Sequence, residues 1–353
     1  MKTRATALNP HNRFQPIVTD REVDPDWYND PEDDLNPDTL ATEVIEETAR
    51  SIISRNTSPD VPFDQSINPY RGCEHACIYC FARPTHAYWD MSPGLDFETR
   101  LIAKPNAAAQ LREELDKPGY RVSPIALGVN TDAYQPLERD QKITRQVLEV
   151  LAEYRHPVSI ITKGALILRD LDLLAEMASE GLCSVRISLT SLSNDLKRRM
   201  EPRTAAPATR LKMIRQLSAA GIPTGIILGP VIPFINDHEI ESILEAAADA
   251  GATRASWIML RLPHELDELF QDWLHRHFPQ RAEHVMNRMR DLRGGKSYDA
   301  TFGRRMTGTG PYPDLIRQRF TKKARRLGLN LHEEEPLRKD LFRRPGGEQM
   351  PLW

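Results

Sequence analysis

The sequence is poor in the features that mark membrane and secreted proteins. Its 353 residues contain no apolar run of about 18 residues, the length a spanning helix needs, so no membrane partner is expected. The stretch Met1–Gln15 holds no apolar core of a secretory signal. There are only four cysteines, and three of them fall between positions 73 and 80, too close together for a disulfide framework. No segment repeats at a fixed period, which argues against a solenoid or propeller. The formal net charge of -3 leaves no global excess of one sign. These absences make a cytoplasmic location the expectation.

What is present is a large apolar fraction and an uneven distribution of charge. Hydrophobic residues make up 40% of the chain, enough for a sizeable core. From Asp20 to Glu47 there are twelve acids against one Arg. With Pro25, Pro31 and Pro37 among them, this segment should be extended or weakly ordered. From Leu315 to Arg344 there are ten bases against four acids, a stretch suited to a polyanion. Between these ends, six β-branched or apolar runs alternate with amphipathic stretches. The runs are Gln65–Tyr70, Pro124–Val129, Val158–Thr162, Ser184–Leu189, Thr224–Leu228 and Arg254–Leu260. The intervening patterns, at Asn106–Leu115, Lys142–Tyr154, Leu166–Glu180, Ala208–Ala220 and His238–Ala250, have helical spacing.

Alternation of this kind means α/β architecture with parallel strands and right-handed crossovers. Six units suit a partial (β/α)6 barrel of the TIM type, with a doubly wound sheet as the alternative. The chain divides accordingly into an acidic N-terminal extension (1–60), a core barrel (61–265) and a basic C-terminal extension (266–353). Within the last part, His264–Phe278 and Pro313–Leu327 read as helices, the glycines between them mark a loop-rich stretch, and Arg343–Trp353 reads as a flexible tail.

The chemistry is concentrated in Cys73-Glu-His-Ala-Cys77-Ile-Tyr-Cys80. Three thiolates on one tight loop can hold three irons of a cubane cluster, leaving the fourth iron open to chelation by a substrate's amine and carboxylate. The loop follows a strand, which places it at the C-terminal mouth of a barrel. The competing reading is a structural zinc site completed by His75 or His86, although zinc more often uses two C-x2-C pairs. The stretch Asn68–Tyr88 (NPYRGCEHACIYCFARPTHAY) resembles the radical S-adenosylmethionine superfamily, and within it the branch related to spore photoproduct lyase. The resemblance spans about residues 64–265. It implies a [4Fe–4S] cluster held by Cys73, Cys77 and Cys80, S-adenosylmethionine as the second cofactor, and a low-potential electron donor as a partner. It also implies reductive cleavage of that cofactor to methionine and a 5′-deoxyadenosyl radical, which abstracts hydrogen from a substrate.

By the same resemblance, Phe81 lies beside the adenine, Thr131 and Asp132 meet the methionine end, Lys163 pairs with the carboxylate, Ser188 contacts the ribose or carboxylate, and Ile227 packs the adenine. The chain departs from the family in three places. It has no Gly-Gly-Glu after the second strand, a departure that the lyase branch shares; Val129 or Asn130 stands where the lyase carries its hydrogen-donating cysteine; and Ile232 stands where the superfamily's fifth-strand motif Gly-x-Ile-x-Gly-x-x-Glu has its Glu. The second departure argues against the same photoproduct repair. Cys183 opens a strand and should be a small buried hydrophobe. The bases Arg317, Arg319, Lys322, Lys323, Arg325 and Arg326 suit contact with nucleic-acid phosphates. The tail Gln349–Trp353 is similar to the short peptides by which bacterial DNA proteins dock on the sliding clamp. A non-catalytic iron–sulfur or zinc module that binds DNA or a protein is the alternative function. The polar strand-end set Thr131, Asp132, Lys163 and Ser188 separates the two, because a binding module has no need of it.

Overall fold

The β-branched runs fold as strands because their branched side chains pack well on a pleated surface. A computed structural model describes residues 4–14, 41–332 and 335–345 of the chain. Its strands are β1 (Glu43–Glu46), β2 (Ile53–Arg55), β3 (Gln65–Ile67), β4 (Tyr70–Arg71), β5 (Arg100–Ala103), β6 (Ile125–Leu127), β7 (Val158–Thr162), β8 (Cys183–Ser188), β9 (Thr224–Val231) and β10 (Arg254–Met259). Seven of them form one sheet in the order β10-β9-β8-β7-β6-β3-β2. Every pairing in it is parallel except β2 with β3. The six parallel strands correspond to the six runs read from the sequence.

Strand order follows chain order without reversal. A doubly wound sheet reverses at its switch point, so that alternative is excluded. The helices Ala107–Asp116, Ile143–Glu153, Leu171–Ser179, Pro207–Ala219 and Ile240–Asp249 fill the crossovers; the first three touch in series, as do the last two. The face under the helices is apolar and fully buried, with Ile160, Val185, Ile187, Ile226 and Leu228 on it. The alternate positions Ser159, Ile161, Arg186, Ile227 and Gly229 are only partly buried. The sheet therefore has one packed face and one partly buried face of mixed polarity. Gly225 belongs to the second face, where an added Cβ would stand 2.9 Å from the Arg186 guanidinium.

The ends of the chain contribute more than composition suggests. Part of the acidic segment forms β1, which pairs with β5 in a second sheet ordered β1-β5-β4. Residues 15–40 lie outside the described part. A helix not singled out in the sequence, Ala282–Leu292, packs against the helix Leu266–His277. The exposed edge of β10 is covered by the Asn330 side chain, which accepts from Ala255 N at 3.0 Å and donates to Ala255 O at 2.8 Å. This occupies an edge that would otherwise template another strand.

The described C-terminal residues are more tied down than their composition suggests. The stretch Arg343–Trp353 reads as a flexible tail, yet Arg343 N donates to Tyr154 O at 3.0 Å, and Arg344 donates to the carbonyls of Leu115 and Lys117. The sliding-clamp peptide Gln349–Trp353 falls outside the described residues. The basic helix, Pro311–Arg326, does not offer all its bases to a polyanion: Arg319 pairs with Glu241, Lys323 with Glu245, and Arg317 with Asp314. Lys322, Arg325 and Arg326 remain on its exposed side. The neutralising acids of Glu241 and Glu245 lie on a distant helix, which local charge counting cannot see.

Candidate functional site

The cysteine loop begins just past β4, where the chain turns through Gly72 at φ 71°. A side chain there would strike the Leu101 side chain at 2.7 Å and the Phe97 carbonyl at 3.0 Å. Ala76, between the first two cysteines, also has positive φ, 55°, which costs energy in a residue with a Cβ. Backbone bonds hold this conformation: Cys73 N to Phe97 O at 2.9 Å, Ile78 N to Met200 O at 2.9 Å, and Cys80 N to Cys77 O at 3.2 Å. Cys73 and Cys77 are buried, Cys80 is half-buried, and all three thiols are free. Burial pushes the Cys73 thiol well up, with Asp132, Cys77 and Cys80 adding to the effect. Burial likewise pushes Cys77 up to about 12, against the pull of Lys163. Burial thus favours the protonated thiols of Cys73 and Cys77, and binding metal means expelling those protons.

Mutual coupling puts the three thiols within electrostatic reach of one another. Among the described residues, however, no three His, Cys, Asp or Glu side chains meet around a single-ion position. Of the two imidazoles that would complete a zinc site, His86 is engaged elsewhere, its Nε2 bonding the Arg100 carbonyl at 2.9 Å, while His75 Nδ1 stands 3.3 Å from an Asp132 carboxylate oxygen, without hydrogen-bond geometry. A spaced set of three thiols with no fourth protein donor among the described residues fits a polynuclear cluster, in which each thiolate takes its own iron.

Buried charges surround the loop. Asp132 accepts from Thr162 Oγ1 at 2.6 Å and from the backbone N–H groups of Lys163 and Tyr134, both at 2.9 Å. Burial would raise its pKa, but His75, Lys163 and Thr162 together hold it below the ordinary carboxylate range. Lys163 Nζ lies 5.7 Å from the Tyr79 ring centre. Burial disfavours its charge, yet Cys77, Glu201 and Asp132 raise its pKa overall. With Cys77 protonated, the two carboxylates are its standing partners. Glu201 also takes Arg210 and the Tyr79 hydroxyl, which keeps it ionised despite complete burial.

The structure gathers some expected site residues and separates others. Asp132 and Lys163 stand together beside Cys73 and Cys77. Thr131 is buried next to them, its hydroxyl donating to Tyr70 O at 2.9 Å. Ser188, the last residue of β8, and Ile227, midway along β9, are register partners. Phe81 stands apart at the rim, 45% exposed, with the Arg261 guanidinium 5.0 Å from its ring centre. Cys183 is fully buried at the opposite end of β8 from Ser188. Sequence reasoning missed Glu201, Arg210, Tyr79 and Gln135. Gln135 bonds both Glu74 N and Gly72 O, and so braces the start of the loop. Tyr79 lay inside the motif and was open to notice. Glu201 and Arg210 carry no local signal.

Residues 67–247 match the model of the Radical SAM superfamily. The chain is 41% identical over 234 residues to an uncharacterized protein of Mycobacterium tuberculosis, covering 66% of this chain and 68% of that one. It is 26% identical over 246 residues to an uncharacterized protein of Methanocaldococcus jannaschii, covering 70% and 88%. Among solved structures it is similar to spore photoproduct lyase complexed with dinucleoside spore photoproduct, with a TM-score of 0.58 at 13% identity over 81% of this chain and 80% of that one. A lyase variant with bound AdoMet and dinucleoside spore photoproduct gives 0.50 at 14% identity, covering 80% and 78%. The chain belongs to the radical SAM superfamily and is an enzyme of that superfamily; its fold is that of the spore photoproduct lyase-like branch. Membership implies an iron–sulfur cluster and S-adenosylmethionine, and decides against a module without catalysis.

Proposed function

We propose that Cys73, Cys77 and Cys80 ligate a [4Fe–4S] cluster with one iron left to S-adenosylmethionine, and that the enzyme abstracts hydrogen from a nucleic-acid-related substrate. The observation that carries this reading is the loop of three coupled, free thiols without a fourth protein donor among the described residues, at the end of a singly wound parallel sheet. When bound, the reduced cluster and its cofactor supply a 5′-deoxyadenosyl radical and methionine. The chain's own groups do the positioning. Lys163 offers an ammonium, kept charged by Glu201 and Asp132, to the cofactor carboxylate. Asp132 fixes that lysine by holding its backbone N–H. Thr131 braces the same strand ends, Ser188 and Ile227 line adjacent strands for the adenosine, and Phe81 closes the rim. The half-buried, mixed face of the sheet suits a reaction kept away from bulk water.

The working division is a core barrel at 61–265, of the partial (β/α)6 type, flanked by extensions at 1–60 and 266–353. A low-potential electron donor is the required partner. The exposed Lys322, Arg325 and Arg326 support a nucleic-acid contact, and Gln349–Trp353 is the proposed clamp-docking peptide. No described helix is long and apolar enough to cross a membrane, in keeping with the proposed cytoplasmic location. The test is anaerobic reconstitution, reduction with dithionite and chromatography for 5′-deoxyadenosine, with and without added oligonucleotides. The product should appear, and more of it with the right nucleic acid. Its absence in both arms, at full iron occupancy and with cofactor bound, would sink the reading.

A further inference from the structure

Arg83 and Glu98 lie outside both the thiol set and the charges around Lys163. Both side chains are wholly inaccessible to solvent and are ion-paired to each other. Arg83 follows Cys80 by three positions, and its guanidinium makes four hydrogen bonds. Nε donates to the Cys77 carbonyl at 2.9 Å, Nη1 to the carbonyls of Pro93 at 3.2 Å and Gly94 at 2.9 Å, and Nη2 to the Glu98 carboxylate. The Cys73 N–H goes to Phe97 O at 2.9 Å. Two of the three thiol-bearing residues therefore hang from one short segment, residues 93–98.

That segment is backed in turn by the start of the chain. Ala5 N donates to the second Glu98 carboxylate oxygen at 3.1 Å, and Arg4 donates to the Glu98 carbonyl at 2.6 Å. Leu95 N donates to Leu8 O at 3.0 Å. The approach at Gly94 is so close that an added Cβ would stand 2.2 Å from Leu8 O.

A buried ion pair is a poor way to gain stability, because desolvation of two charges offsets most of their attraction. An apolar pair of similar volume would pack as well. What it could not do is draw three carbonyls and a carboxylate to one rigid plane, the specific ability of arginine. We propose that Arg83 is a positioning residue: it sets Cys77 relative to Cys73 for metal ligation, with Glu98 and residues 4–8 locking it in place. The proposal rests on reading the three thiols as cluster ligands.

Two variants test it, Arg83→Lys and the charge-free double variant Arg83→Met with Glu98→Gln. Each is compared with the wild type for thermal unfolding of the metal-free chain, iron and sulfide bound after anaerobic reconstitution, the electron paramagnetic resonance spectrum and the midpoint potential. Support of a metal ligand by its neighbours is commonly worth about tenfold or more in affinity. Metal-free melting should stay near that of the wild type in at least one variant. In that variant iron affinity should fall about tenfold, with an altered spectrum and a shifted potential in whatever cluster remains. Folded variants with unchanged iron, spectrum and potential would overturn the proposal. So would the failure of both variants to fold, since the pair would then serve the fold alone. A wild-type chain that takes up no iron would instead overturn the cluster reading, so the two failures are distinguishable.

Discussion

The two ends of the parallel sheet solve opposite problems. At the mouth, where β7 and β8 end, the interior holds Arg83 with Glu98, Arg210 with Glu201, and Lys163 within electrostatic reach of Asp132 and Glu201. At the base, where these strands begin, Phe342 packs among the rings of Tyr120, Tyr154 and His156, and the described C-terminal residues cross beneath the sheet. The base is built of aromatic contact and backbone hydrogen bonds, which stabilise without burying charge. The mouth carries charges that cost desolvation and return a fixed arrangement of side chains. Stability is concentrated at one end so that the other can hold a polar constellation in place.

The largest effect should come from the thiols at the two ends. Replacing Cys73, Cys77 or Cys80 by Ala should strip most iron and brown absorbance from the reconstituted chain, while Cys183→Ala should leave both intact. Equal loss at Cys183 would erase the distinction between mouth and base. Next comes the buried pair. Arg210 donates to Glu201, to Ser188 O at 3.0 Å and to Ala205 O at 3.0 Å. Arg210→Met leaves Glu201 uncompensated and should lower stability by about 3–5 kcal/mol in denaturant unfolding. Adding Glu201→Gln should recover much of that loss, and no recovery would mean that lost packing, not charge, is responsible.

The smallest expected effect concerns pH and tests both ends at once. Burial lowers the pKa of His86 near the mouth and of His156 at the base to about 4, from the usual 6.5. Each is neutral in the folded chain at pH values where the unfolded chain already binds a proton. The stability is therefore complete above about pH 6.5 and lost progressively as pH falls toward 4, on the order of 3 kcal/mol for each histidine. His156→Gln should flatten the unfolding free energy across this window by roughly half of the histidine share. An unchanged slope would place the acid sensitivity elsewhere.

Legibility followed the range of the interactions. The six strands and their crossover helices were readable because each carries its own periodicity, and the thiol set because its spacing is local. β1, β2, β4 and β5 were missed because each spans only two to four residues. The helix Ala282–Leu292 was lost beside the glycines that follow it. The basic helix was read as a free positive face because Glu241 and Glu245, about 80 positions earlier, could not be assigned to it. Within the candidate site, Lys163 and Asp132 were legible as polar residues at strand ends, while Glu201 and Arg210 were not, having no pattern of their own.

By itself the sequence determined the alternation of strands and helices and the set of three thiols on one loop, since periodicity and ligand spacing are properties of neighbouring residues. Only the tertiary structure decided that the sheet winds in one direction, that Asp132, Lys163 and Glu201 meet beside the cysteines, and that Arg83 ties Cys77 to the segment holding Cys73. Those depend on contacts between residues far apart in the chain, and a charge becomes a partner only once folding has removed the water between them.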